Sequence, residues 1–114
     1  RLPQLRAAYR ERRDALCEAL AAGFGDALRF QRPDGGMFVW ARFADGADAS
    51  ALLPLALDEG VIFVPGAAFY DEAPDLSTLR LSYATLAPAQ LRDAVGRLSR
   101  AYRRLGAGPA ARAA

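Results

Sequence analysis

The sequence contains no lysine and no histidine, and all 15 of its basic residues are arginine. Without lysine, no side chain can form a Schiff base, and without histidine there is no imidazole for acid–base catalysis. Cys17 is the single cysteine, which excludes an internal disulfide and a cysteine-rich metal site. The lack of histidine also excludes histidine-containing metal sites and Ser-His triads. We therefore expect no metal site.

The sequence also lacks a large excess of charge of one sign, and it lacks long hydrophobic runs. The formal net charge is +2 and the basic residues are scattered along the chain, so a nucleic-acid partner is not indicated. No apolar run is long enough to span a bilayer, and we expect no signal peptide. Hydrophobic residues make up 53% of the 114 residues, which is typical of one globular domain. The lone cysteine fits a reducing compartment, so we expect a cytoplasmic protein.

Hydrophobic periodicity predicts seven elements of secondary structure. They are a helix over 5–22, strands over 28–31 and 37–43, a helix over 50–59, strands over 61–64 and 79–84, and a helix over 87–105. The order α-β-β-α-β-β-α predicts an α+β fold in which three helices cover one face of a small sheet of about four strands. We expect residues 1–106 to form the domain and 107–114, rich in alanine and glycine, to be a flexible tail.

Three boundaries are predicted from local chemistry. Ser50 is expected to cap the second helix, because this start places Pro54 in the first turn, where proline is tolerated. Gly106 is expected to end the third helix. The continuous apolar run 61–64 predicts a strand that is buried on both faces.

Alternation in the strand 79–84 places Leu79, Leu81 and Tyr83 on one face and Arg80 on the other. A planar guanidinium on a rigid strand can hold a carboxylate through two parallel hydrogen bonds. A solvent-facing arginine would give the same pattern. Upstream, Phe69 and Tyr70 follow a Pro-Gly turn at a strand end, where they could line a ligand site or cap the core.

Five segments stand in a specific order and at specific separations over residues 5–105. They are Tyr9 with Arg12-Arg13-Asp14, Pro33-Asp34-Gly35-Gly36-Met37-Phe38-Val39-Trp40, Gly60-Val61, Val64–Tyr70 and Leu79–Ala84. Together they resemble the C-terminal small domain of fold-type I, pyridoxal-phosphate-dependent aminotransferases of class I/II. The resemblance is strongest to the branch of 2-aminoadipate-type and related broad-specificity enzymes.

The resemblance implies that Arg80 binds the α-carboxylate of the substrate, and that Gly66 and Phe69 lie near the mouth of the active site. In that family the Schiff-base lysine, the aspartate that pairs with the pyridine nitrogen and the phosphate cup belong to a large domain. This chain lacks them, so we expect no catalytic residue here and an inactive fragment of a longer enzyme. Pyridoxal 5'-phosphate would be bound by the absent large domain. The expected partners are that domain, amino acid and 2-oxo acid substrates, and a second subunit of a homodimer.

Two readings from other classes stay open. The same fold could be the effector-sensing domain of a transcription regulator, joined to an N-terminal DNA-binding domain. It could also be a free-standing module that binds an amino acid or a protein partner, since a fold alone does not settle function.

Overall fold

The computed structural model describes residues 2–69 and 75–107. These residues form helices and strands in the predicted order, together with two short 3-10 helices, Gly25–Ala27 and Gly66–Phe69. The bounds are α1 (Leu2–Phe24), β1 (Leu28–Phe30), β2 (Phe38–Phe43), α2 (Ala49–Asp58), β3 (Val64–Pro65), β4 (Thr78–Ser82) and α3 (Pro88–Ala107). The predicted α+β class and the element order are confirmed.

The four strands form one antiparallel sheet in the order β1-β2-β4-β3. Alternate residues of β2 and β4 point to one face and are buried there with side chains from all three helices. The sheet supplies Val39, Ala41, Phe43, Leu79 and Leu81 to this core, and the helices supply Leu16, Leu20, Leu52, Leu91 and Leu98 among others. The period of two predicted for the strand 79–84 is therefore confirmed, and β2 shows the same period. None of the described helices is both long and apolar enough to cross a membrane.

Two helices extend beyond their predicted ends at 22 and 105. α1 runs through Gly23 to Phe24, and the chain then turns at Gly25, whose φ is +55°. α3 likewise continues through Gly106 to Ala107. The prediction that Gly106 ends α3 was therefore wrong. Glycine can adopt the conformation that ends a helix, but it can also remain helical. Residues 108–114, most of the predicted tail, lie outside the described residues.

The cap of α2 is Asp48, whereas the sequence pattern predicted Ser50. The Asp48 carboxylate accepts hydrogen bonds from the backbone N–H groups of Ser50 and Ala51 at 2.9 and 3.3 Å. A carboxylate can satisfy two of the free N–H groups at a helix start, which favours aspartate as the cap. Pro54 consequently lies inside the helix rather than in its first turn.

The third strand was predicted in the wrong place. β3 comprises only Val64 and Pro65 and pairs with β4 at the edge of the sheet. Ile62 is 75% exposed, whereas Phe63 is buried, so the run 61–64 is not buried on both faces. Proline lacks an N–H for a second ladder, which suits Pro65 to an edge strand.

Candidate carboxylate-binding site

The candidate site lies on the face of the sheet opposite the core. Trp40, Arg80 and Val64 stand side by side on β2, β4 and β3, because Arg80 pairs with both of the others in the strand register. Trp40 is 47% exposed, in contrast to its buried neighbours Val39 and Ala41. This face therefore presents side chains to whatever approaches the sheet.

The Arg80 guanidinium lies against two aromatic rings. Its central carbon, Cζ, is 3.9 Å from the ring centroid of Phe38 and 4.8 Å from that of Phe69. Trp40 meets Phe69 edge to face, with ring centroids 5.1 Å apart. Both arginine–ring distances are within the range of cation–π interactions. We call Phe38, Trp40 and Phe69 the aromatic cluster.

Arg80 has no anionic partner among residues 2–69 and 75–107. Its Nε is buried and has no hydrogen-bond acceptor there, and none of the ion pairs in these ranges includes Arg80. Arg42, on the same face of β2, is instead paired with the Asp75 carboxylate. A buried charged donor without an acceptor is unfavourable. Within these ranges Arg80 therefore lacks an ion-pair partner, whereas Arg42 has one.

The second 3-10 helix reaches Arg80 because of a close backbone approach at Gly66. Gly66 is buried, and a Cβ atom placed on it would lie 2.8 Å from Cβ of Thr78 and closer still to Oγ1 of the same residue. Only glycine fits this position without moving the chain. Phe69, at the other end of the same 3-10 helix, is thereby brought over the outer face of the sheet.

The structure brings together the three residues singled out from the sequence, since Phe69 contacts Arg80 and Gly66 lies against β4 beside it. Their roles toward a substrate stay predictions. Tyr70 lies outside the described residues. Sequence reasoning missed Phe38 and Trp40 as members of the site. The available signal was the alternation in β2, which places both on the face opposite the core.

The first helix, α1, contributes hydrogen bonds that connect it to other segments, and none of its side chains belongs to the cluster around Arg80. Arg12 donates a hydrogen bond to the carbonyl of Ala84 at 3.2 Å, and Arg13 donates one to the carbonyl of Pro33 at 3.1 Å. The Tyr83 hydroxyl donates to the carbonyl of Gly36 at 2.6 Å. These bonds connect α1 and the end of β4 to the turn before β2. These structural hydrogen bonds account for Arg12, Arg13 and Tyr83, so no ligand is needed to explain these residues.

Cys17 lies in the core and not at the candidate site. It is only 3% exposed, and this burial raises the pKa of its thiol, although the Arg32 guanidinium acts in the opposite direction. A buried thiol with a raised pKa is a poor nucleophile. In the part of the chain that the structure describes, no three His, Cys, Asp or Glu residues are grouped so that they could hold a metal ion.

Comparison with known proteins identifies the family. Residues 1–98 match the family model described as aminotransferase class I and II. The chain belongs to this family. It is 43% identical over 105 residues to the 2-aminoadipate transaminase of Thermus thermophilus, and the match covers 92% of this chain and 26% of that protein.

Two further comparisons show similarity to a solved aminotransferase structure and to a transcription regulator. The crystal structure of an alpha-aminoadipate aminotransferase from Thermus thermophilus, complexed with N-(5'-phosphopyridoxyl)-L-leucine, matches with a TM-score of 0.86 and 42% identity, covering 93% of this chain and 27% of that one. The HTH-type transcriptional regulator TauR of Rhodobacter capsulatus is 31% identical over 101 residues, 88% of this chain and 21% of the regulator. The chain thus spans about a quarter of the length of the curated relatives it matches.

The described residues of this aminotransferase-family chain do not make a pyridoxal phosphate site. There is no lysine anywhere in the sequence to hold the cofactor covalently. The donor set at Arg80 is one guanidinium in contact with aromatic rings, which suits a carboxylate and offers no partner for a pyridine nitrogen.

Proposed function

We propose that residues 1–106 are the small domain of a longer pyridoxal-phosphate-dependent aminotransferase, and that Arg80 binds the α-carboxylate of its amino acid and 2-oxo acid substrates. The observation that carries the proposal is the state of Arg80. Its guanidinium lies against the rings of Phe38 and Phe69, yet its buried Nε has no acceptor among the described residues. A substrate carboxylate would complete this arrangement.

The proposed role follows from the shape of the two groups. A carboxylate can accept two parallel hydrogen bonds from one guanidinium, which sets its distance and its plane. Every α-amino acid and every 2-oxo acid carries this carboxylate, so Arg80 would orient all substrates without selecting among their side chains. Orientation of this kind lowers the barrier because the reacting atoms are already placed.

The remaining partners follow from the proposed enzyme. Pyridoxal phosphate supplies an electron sink when bound, and the absence of lysine here assigns its binding to the rest of the longer protein. Phe69 and Gly66 would lie near the mouth of the active site. We further propose that the full-length enzyme is a cytoplasmic homodimer, whereas this fragment alone is inactive. The support is the family membership and the single, buried cysteine.

The test is substitution of Arg80 in the full-length enzyme. Loss of one partner of a buried charged pair costs roughly 2–5 kcal/mol, so Arg80→Gln should lower kcat/KM for an amino acid roughly 30-fold to several thousandfold. Arg80→Lys should recover only part of this, because the planar fork is lost. Arg92→Gln, which removes an exposed arginine of α3, is the matched control and should leave kcat/KM unchanged.

A second substrate makes the test specific. The primary amine that matches the amino acid but lacks its carboxylate cannot use Arg80. We define carboxylate discrimination as the ratio of kcat/KM for the amino acid to that for this amine. Arg80→Gln should lower this ratio, while a change below roughly tenfold in kcat/KM for the amino acid would argue against the proposed role.

The similarity to TauR makes a sensing domain of a transcription regulator the second candidate. We favour the enzyme because identity to the 2-aminoadipate transaminase is higher, 43% against 31%. A visible absorption spectrum of the full-length protein separates the two. A band of bound pyridoxal phosphate that shifts when an amino acid is added supports the enzyme, whereas a band that never shifts supports the regulator. Absence of any band after adding the cofactor would leave a free-standing binding module.

A further inference from the structure

We propose that Phe38 and Phe69 are positioning residues, which hold the Arg80 guanidinium in the orientation that a carboxylate requires, and that Trp40 supports Phe69 in this task. The inference deepens the proposed function and rests on the proposed role of Arg80. It follows from three features of the site: the two ring contacts, the chemistry of those contacts, and the support behind Phe69.

The two rings come from different elements and meet the same guanidinium. Phe38 begins β2, and its centroid lies 3.9 Å from the Arg80 Cζ. Phe69 ends the second 3-10 helix, and its centroid lies 4.8 Å from the same atom. An arginine side chain has several rotatable bonds and loses much conformational freedom when it is fixed. Two ring contacts fixed by the backbone reduce the freedom that substrate binding would otherwise have to remove.

The chemistry of the contacts explains why rings and not carboxylates surround Arg80. An aromatic face attracts a cation through its quadrupole and accepts no conventional hydrogen bond from the guanidinium edge. The rings therefore place no competing acceptor against the guanidinium donors. Arg42 shows the alternative, because Asp75 already neutralises its charge. A substrate carboxylate would have to compete with such a partner.

Support for Phe69 comes from Trp40 and Gly66. Trp40 packs edge to face on Phe69 with centroids 5.1 Å apart and stands beside Arg80 in the strand register. Gly66 anchors the 3-10 helix directly against Thr78. Phe69 is 48% exposed, so these contacts, rather than deep burial, determine where its ring lies.

The experiment uses the full-length enzyme with Phe38→Leu and Phe69→Leu. Loss of one cation–π contact should lower kcat/KM for the amino acid roughly threefold to thirtyfold, mainly through a higher KM. The reaction of the matching primary amine should not change, so carboxylate discrimination falls by the same factor. Phe38→Tyr and Phe69→Tyr keep the rings and should restore it. Phe30→Leu, the same substitution at a partly buried ring of the opposite face, is the control that leaves discrimination unchanged.

A merely structural role would give a different pattern. It would lower activity toward the amino acid and the amine equally, and that result would overturn the proposal. A second measurement replaces Phe38 with a series of increasingly fluorinated phenylalanines. Each fluorine weakens the negative face of the ring, while the shape of the side chain changes little. Discrimination should fall with each added fluorine, and a flat series would overturn the proposal as well.

The coupling to Arg80 separates failure of this inference from failure of the proposed function. In the Arg80→Gln background, Phe38→Leu should change discrimination less than about twofold, since the rings act through Arg80. If the full loss persists in that background, the positioning role is wrong while the role of Arg80 stands. If Arg80→Gln alone leaves discrimination unchanged, the proposed function fails and this inference fails with it.

Discussion

Gly66 shows at the scale of one residue how space controls the site. The position needs glycine because Thr78 occupies the room that a side chain would take, with its Cβ 2.8 Å from a Cβ built on Gly66 and its hydroxyl oxygen nearer still. The Thr78 hydroxyl is itself held by a hydrogen bond to the carbonyl of Asp75 at 3.0 Å. Neither partner can move freely, so the contact fixes the start of the 3-10 helix that ends in Phe69.

We predict that Gly66→Ala destabilises the 114-residue chain. The added methyl group must displace either β4 or the 3-10 helix, and overpacking of this kind costs about 1–3 kcal/mol of unfolding free energy. Urea unfolding monitored by circular dichroism measures the change. Combining the substitution with Thr78→Ala removes the nearer of the two clashing side-chain atoms and should recover part of the loss. Equal stability of Gly66→Ala and the natural sequence would contradict the close approach.

Arg80 shows at the same scale what alternation can and cannot predict. The period of two places its side chain opposite Leu79 and Leu81, which are buried. The contact with Phe38 lies in no local pattern, because the two residues are far apart in sequence and meet only through the pairing of β2 with β4.

At the scale of one element, α2 depends on the hydrogen bonds that close its two ends. The helix carries Pro54 in its interior, which removes one backbone hydrogen bond, and it has no acidic residue in its first turn. Its start therefore depends strongly on the Asp48 cap. At its other end, Gly60 adopts a φ of +88°, and the backbone N–H of Val61 donates to the carbonyl of Ala56 at 2.9 Å. Both ends of the helix are thus closed by specific hydrogen bonds.

We predict that Asp48→Ala lowers the unfolding free energy of the chain by about 0.5–2 kcal/mol, the usual effect of losing an N-cap. Asp48→Asn should retain most of the stability, because the amide oxygen can accept the same bonds. Glu18→Ala removes an exposed carboxylate from α1 and serves as the control. Denaturant unfolding of the three variants at neutral pH measures the difference. An Asp48→Ala variant as stable as the control would show that the cap is unimportant.

At the scale of the whole molecule, Tyr102 connects α3 to the sheet. Its ring stacks on Phe43 with centroids 4.9 Å apart and an interplanar angle of 9°. Its hydroxyl donates a hydrogen bond of 2.6 Å to the carboxylate of Asp45. This bond is the main reason that the pKa of Tyr102 rises to about 12 from its ordinary value of 10.0. The same bond is the main cause of the lowered pKa of Asp45.

We predict that Tyr102→Phe removes a pH-dependent part of the stability, about 0.5–1.5 kcal/mol for one hydrogen bond. The raised pKa of Tyr102 means that its contribution is complete below pH 10.0 and is lost as the pH rises through about 12. The lowered pKa of Asp45 means that its contribution is present above the ordinary value of 3.8 and is lost as the pH falls through the lower folded value.

Urea unfolding of the natural chain and the Tyr102→Phe variant, from about pH 3 to about pH 12, checks this prediction. The natural chain should be the more stable one at neutral pH, and the two curves should converge toward each extreme. The phenylalanine ring of the variant would keep the stacking on Phe43, so only the hydrogen bond is lost. A difference that stays constant across the whole range would show that the hydroxyl–carboxylate bond does not contribute.

The sequence alone determined the element order, the two faces of β2 and β4, and the absence of a covalent cofactor anchor. These properties depend on composition and on the spacing of apolar residues along one segment. The segments over 33–40, 64–70 and 79–84 also led to the right family, because residue identities at fixed separations are read directly from the chain. Arg80 could be predicted as an outward-facing arginine for the same reason.

Only the tertiary structure decided the surroundings of Arg80. The aromatic cluster assembles from β2 and a 3-10 helix that meet through strand register and through the close approach at Gly66. The edge position of β3 and the capping of α2 by Asp48 depended in the same way on pairing partners and on hydrogen-bond geometry, which local periodicity does not encode. Contacts between distant segments arise from packing, and packing is a property of the folded chain as a whole.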